Sequence, residues 1–268
     1  MPLRTARACW RKQRFSRFRA DDLHFTLGSL KCGQCPTPKP PMTIGIQICS
    51  GAEWRATKPL LAIPPDATHQ FPYGEYFRTA LADRACVFFY SRRTKTRAAG
   101  ACQYAIDRWE VDPVFVLGTC GGVAERLRVM DVVFATRTIQ YDCHDQRPDM
   151  GLTVSADLSW LSLAALTEPI HAGTVASADR NLTFDSLEIL RRQDVLAADW
   201  ESGAIAAVCS LNRVRWAVFR AVSDLPVAPG EEDARRQLQD YSRHAPAIME
   251  KLLGLLPQIL AGISRALN

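Results

Sequence analysis

The chain has 268 residues, 47% of them hydrophobic, enough to bury a substantial core in one large α/β domain. Its formal charge of +5 is concentrated in residues 1–41, where nine Lys/Arg face only Asp21 and Asp22, leaving 24 basic and 26 acidic side chains in residues 42–268. A near-neutral body gives no nucleic-acid-binding surface, and no apolar run approaches the roughly 18 residues that a membrane-spanning helix needs, so neither nucleic acid nor membrane is expected as a partner.

Residues 1–41 read as a basic, disordered extension and residues 42–268 as the catalytic domain. Seven basic residues precede the first acid, and Pro36 to Pro41 close the segment. An organelle transit peptide and an over-long reading frame share this composition. Met42 directly before the first strand pattern suits a start there. Cys32-Gly33-Gln34-Cys35 has no second pair at ligand spacing, so no metal is expected. Nine cysteines is an odd number, and Cys49, Cys86, Cys102 and Cys209 lie in apolar runs, as free thiols of a reduced, cytoplasmic protein do.

Residues 43–49 form a compact strand, followed by Ser50-Gly51-Ala52-Glu53, where a helix starts. Glu53 is a carboxylate at a strand-to-helix junction, placed for chemistry or simply for the helix dipole. Residues 62–77, rich in proline and aromatics, read as a loop over one end of the sheet. A strand at 85–90 leads into the turn Ser91-Arg92-Arg93-Thr94-Lys95-Thr96, and a small-residue helix runs from 97 to 109 until Asp112-Pro113 stops it.

The buried strand 114–117 runs into Gly118-Thr119-Cys120-Gly121-Gly122. Its glycines let the backbone approach a ligand and turn its amides and Thr119 toward it. The pattern is neither the dinucleotide fingerprint nor a P-loop. Cys120 has no neighbouring His to make it a nucleophile. Strands follow at 131–139 and 171–177. Between them, the consecutive ligand-type residues Asp142, Cys143, His144 and Asp145 lack metal-site spacing.

After a helix at 185–193, an apolar run delivers Asp199-Trp200-Glu201 into a turn, a small-residue helix begins, and a second apolar run from Trp216 to Val222 delivers Asp224. Read as strand, helix and parallel strand, this layout opens both strand ends on one edge, so that Glu201 and Asp224 face one crevice. Two amphipathic helices, 231–244 and 247–266, complete the chain, with a break near Pro257.

Taken in order, Ile44-Gly45-Ile46 with Glu53, Gly118 to Gly122, Val129-Met130-Asp131-Val132-Val133, Ser177-Ala178-Asp179, Asp199 to Ala206, and Arg220 to Asp224 resemble the nucleoside phosphorylase superfamily, and within it the methylthioadenosine/S-adenosylhomocysteine nucleosidases. The resemblance covers about residues 43–254. It implies a three-layer α/β fold with a central mixed sheet flanked by helices, a homodimer, no cofactor and no metal. The implied reaction cleaves the bond between ribose C1′ and a purine nitrogen of a small nucleoside.

Carried onto this chain, the family roles make Asp224 the acid at adenine N7, Glu201 the holder of the ribose hydroxyls and Glu53 the base for the attacking water. Substrate contacts are expected from Thr119, Gly121, Gly122, Asn181, Leu182, Trp200 and Ser223. The chemistry asks for such residues independently: an oxocarbenium-like sugar needs nearby anions, the departing base a proton and water a base. An Asp near pKa 3.9 donates at neutral pH only if desolvated or set beside another carboxylate.

Four positions depart from the family pattern. Arg92 and Arg93 stand where glycines are common, Trp200 replaces a methionine, and Asn181 stands where an aromatic often stacks on the base. Two rival readings therefore remain: a phosphorylase in which Arg92, Arg93 or Arg220 holds phosphate, and a nucleoside sensor without turnover.

Overall fold

A computed structural model describes residues 42–143, 150 and 152–264. The basic extension, His144 and Asp145 lie outside the described residues. Among the described residues there are ten strands: β1 (Thr43–Ile48), β2 (His69–Phe71), β3 (Gly74–Leu81), β4 (Arg84–Tyr90), β5 (Val111–Gly122), β6 (Val132–Gln140), β7 (Thr153–Ser155), β8 (Ile170–Ser177), β9 (Val195–Asp199) and β10 (Trp216–Asp224). The helices are α1 (Gly51–Leu60), α2 (Lys95–Trp109), α3 (Phe184–Arg192), α4 (Ser202–Leu211) and α5 (Glu231–Ala261).

All ten strands belong to one mixed sheet of order β10-β6-β8-β9-β5-β1-β4-β3-β2, with β7 attached to β6. β10 also pairs with β5, so β5, β10, β6, β8 and β9 close into a ring. Side chains alternate across it, as strand geometry requires. Phe115, Leu117 and Phe219 pack with α1 and α5, while Val114, Val116 and Val218 pack with α2 and α4. Ala98, Ala101, Cys102 and Ala105 of α2 are fully buried and bring it close to α4, where the Cys102 and Cys209 sulfurs lie 3.5 Å apart. The six cysteines among the described residues are free thiols.

Four expectations need correction. Residues 62–77 were expected as a loop, but from His69 onward they enter an antiparallel hairpin at the sheet edge, β2 with β3. Phe71 and Phe77 point into the core, and that burial outweighs the proline-rich local signal. Helix α2 ends before Pro113: Glu110 takes the left-handed conformation at its C-cap (φ 52°), and Pro113 lies inside β5.

The C-terminal helices are one continuous helix, α5, running through Pro246 and Pro257. Each proline forfeits a backbone hydrogen bond, but Ile248, Met249, Leu252, Leu256, Ile259 and Leu260 are fully buried on both sides of Pro257 and hold the helix together. Finally, β9 and β10 are not parallel neighbours. β5 lies between them, antiparallel to β9 and parallel to β10.

Candidate active site

The glycine end of β5 is what brings the acids together. Gly121 pairs with Ala198 of β9 on one side and with Asp224 of β10 on the other. The chain after β9 and the last residue of β10 therefore open beside the same backbone. A Cβ at Gly121 would come within 3.0 Å of Leu182 and 3.4 Å of an Asp224 oxygen, so the missing side chain leaves the space between them.

One cavity is lined there by Glu53, Glu201 and Asp224 together with Thr119, Gly121, Asn181, Leu182, Trp200 and Ser223. Of the expected contact residues only Gly122 is outside the lining. A Cβ on it would meet Leu225 at 2.4 Å and Val222 at 3.2 Å, so its role is close packing of β5 against the β10 end.

Glu53 is held from both sides. Ser50 caps α1, accepting the Glu53 N–H at 3.2 Å, while Glu53 accepts the Ser50 N–H at 3.2 Å, the reciprocal capping box. Its other oxygen accepts the N–H and the hydroxyl of Thr119, each at 2.8 Å. The Tyr241 hydroxyl of α5 donates to Ser50 at 2.7 Å and ties the far wall to the same corner.

Arg220 is 1% exposed and buried beneath this corner. Its guanidinium meets Asp199 at 2.7 Å and Glu201 at 3.8 Å and donates to the Ser202 hydroxyl. Burial works against its charge, but Asp199, Glu201 and Glu53 outweigh that effect and raise its pKa. Asp199 also accepts from the Ser177 hydroxyl (2.6 Å) and from the N–H groups of Glu201 and Ser202, which fixes the turn carrying Glu201.

The two acids proposed for opposite ends of the substrate both hold protons more firmly than usual. Burial pushes Asp224 up to about 6, against the hydrogen bond from Ser223 (2.5 Å), with Asp240 raising it further and Arg236 lowering it. Burial lifts Glu201 to about 8, although Arg220 opposes the rise; Asp199 and Glu53 add to it. Cys120, by contrast, is a core thiol. Burial drives its pKa well above the ordinary value, which removes it as a nucleophile.

Gly118 permits this crowding. A Cβ there would lie 2.3 Å from the Arg220 Nη1 and 2.9 Å from both Glu53 oxygens. Gly118→Ala is expected to lower stability by about 1–3 kcal/mol through overpacking and to reduce turnover. Urea denaturation and a rate measurement check it, and unchanged values would mean that Arg220 and Glu53 are free to move apart.

Sequence reading missed Asp199, Ser50, Tyr141, Arg180 and the α5 wall of Ala234, Gln237, Leu238 and Tyr241, which also line the cavity. Asp199, Ser50 and Arg180 adjoin Glu201, Glu53 and Asn181 in sequence but gave no sign of lining a cavity, whereas Tyr141 and the α5 residues arrive from distant elements. Asn181 brings no aromatic ring; those of the cavity belong to Tyr141, Trp200 and Tyr241. Arg92 is not part of the lining, whereas Arg93 is. Among the described residues no cluster of His, Cys, Asp and Glu is arranged to hold a metal ion, and no helix is long and apolar enough to cross a membrane.

Comparison with known proteins places this geometry. Residues 44–260 match the model of the phosphorylase superfamily. A 5′-methylthioadenosine/S-adenosylhomocysteine nucleosidase of Thermotoga maritima is 31% identical over 170 residues, covering 62% of this chain and 78% of that protein. The enzyme of the same name from Actinobacillus succinogenes is 27% identical over 239 residues, covering 81% and 100%. The nucleosidase of Neisseria meningitidis in complex with methylthio-immucillin-A superposes with a TM-score of 0.68 at 22% identity, over 81% of this chain and 98% of that one. The chain belongs to the phosphorylase superfamily and, within it, to the 5′-methylthioadenosine/S-adenosylhomocysteine nucleosidase family.

Proposed function

We propose that the chain is an N-glycosyl hydrolase that releases adenine from a small nucleoside such as methylthioadenosine or S-adenosylhomocysteine. Asp224 in its protonated form donates to N7, so that the base leaves as a neutral molecule. Glu201 accepts the ribose hydroxyls. Burial makes its carboxyl hold its proton firmly, and positive charge developing on the sugar favours the ionised form, so its stabilisation grows toward the transition state. Glu53, anchored by Ser50 and Thr119, takes a proton from water as the oxygen attacks C1′.

The observation that carries this reading is the convergence of Glu53, Glu201 and Asp224 on one cavity. Phosphorolysis through Arg220 is less well served, because Arg220 is committed to Asp199 and surrounded by carboxylates. The same reading takes residues 42–268 as the catalytic domain, residues 1–41 as an extension outside it, and the working form as a cytoplasmic homodimer.

The test is adenine release from methylthioadenosine, S-adenosylhomocysteine and inosine, with and without phosphate. Free ribose products independent of phosphate are expected, and Glu53→Gln should slow release about 10²- to 10⁴-fold. A phosphate requirement with ribose 1-phosphate products would replace hydrolysis by phosphorolysis. Tight nucleoside binding without release would leave a sensor.

A further inference from the structure

Three guanidinium groups line the cavity, and their surroundings differ. Arg220 is paired with Asp199. Arg180 lies over the Tyr141 ring, 5.1 Å from its centroid. Arg93 lies over the Trp200 ring at 5.6 Å, and among the described residues no carboxylate reaches ion-pair distance of it. A cation stacked on an indole is oriented without being neutralised, which leaves its N–H fork available to an incoming anion.

The position of Arg93 follows from its neighbours. The N–H of Thr94, the next residue, donates to Glu201 at 3.3 Å, which sets Arg93 beside the ribose site. Arg93 also acts electrostatically on Tyr241, whose hydroxyl reaches the Ser50–Glu53 corner. The charges acting on Asp224 are instead Asp240, Arg236 and Asp233 of α5. On the nucleosidase reading, with the base against Asp224 and the sugar between Glu201 and Glu53, the lining left for the 5′ substituent includes Arg93 and Tyr241.

We propose that Arg93 is a specificity-determining residue that selects nucleosides whose 5′ substituent ends in an anion, a carboxylate or a phosphate. The proposal rests on the nucleosidase reading for the orientation of the substrate. Leu238 beside Tyr241 on the α5 wall gives an apolar stem a surface to follow before the charged end meets the guanidinium. A bidentate guanidinium–anion contact at the mouth adds affinity for the charged ligand and nothing for a neutral one.

Titration calorimetry in an Asp224→Asn background, where nucleoside binding persists while turnover is suppressed, tests this, using 5′-carboxymethylthioadenosine and adenosine 5′-monophosphate as the carboxylate and phosphate probes and methylthioadenosine as the neutral one. In the full chain, Arg93→Met is expected to lower the preference for an anionic over the neutral ligand about 10- to 100-fold, and Arg93→Lys to restore part of it. The two anionic probes distinguish carboxylate from phosphate. An anionic-to-neutral affinity ratio unchanged in Arg93→Met overturns the proposal, as does loss of inorganic-phosphate binding with the nucleoside ratio intact. Adenine release by the unaltered protein is scored separately, so failure of the nucleosidase reading shows as no release whatever the binding ratio.

Discussion

Asp224→Asn is expected to lower kcat/KM for adenine release about 10²- to 10⁴-fold while nucleoside binding persists. The amide keeps the shape and the Ser223 hydrogen bond but cannot deliver the proton that makes adenine a good leaving group. The pH profile carries the same claim. With Asp224 at about 6 needed in its acid form and Glu201 at about 8 needed ionised, activity should rise up to pH near 6, stay level, and fall above pH near 8.

On that plateau each group is in its minority form, which places the assignment under direct test. Removing the Glu201 titration in Glu201→Gln should abolish the rise, so that the remaining activity is level at low pH and falls through about 6 as Asp224 ionises. A profile whose falling limb stays near 8 in that variant would transfer the acid role away from Asp224. Little loss of rate in Asp224→Asn would do the same.

Arg220→Met is expected to destabilise the fold by about 3–5 kcal/mol, because it strands Asp199 as a buried carboxylate without its counter-charge. Denaturant unfolding measures the loss, and adding Asp199→Asn should recover part of it through removal of one stranded charge. A stability equal to that of the unaltered protein would mean that the guanidinium is not the structural centre of this corner and is free to take a substrate anion.

Apolar runs of four to seven residues, as at 44–48, 86–90, 114–117 and 216–222, announced their strands because each lies buried within the sheet. The helix start at Ser50 to Glu53 was legible as the turn after a strand, and the structure adds the reciprocal capping box between the two residues. The hairpin at 69–81 was illegible because its local composition reads as loop, and only the core pocket for Phe71 and Phe77 makes it a sheet edge.

Helix α5 was divided at 245–246 and given a break near Pro257 because a sequence shows the lost hydrogen bonds and not the packing that offsets them. The candidate acids were legible as carboxylates after apolar runs. Their route to one cavity was not, since it depends on β5 lying between β9 and β10. Arg220 carried a signal only as a cation in a strand; its partner Asp199 is 21 residues away and meets it across a helix–strand crossover that spacing does not encode.

The closed circuit of five strands has a consequence for synthesis on the ribosome. Residues 216–224 are the last strand to emerge, and until they dock, β5 and β6 each present an unpaired backbone edge able to recruit another chain. Asp224 arrives with that same closing segment. A nascent chain is thus catalytically silent for as long as it is aggregation-prone, and truncation anywhere before Trp216 should yield insoluble, inactive material rather than a weakened enzyme.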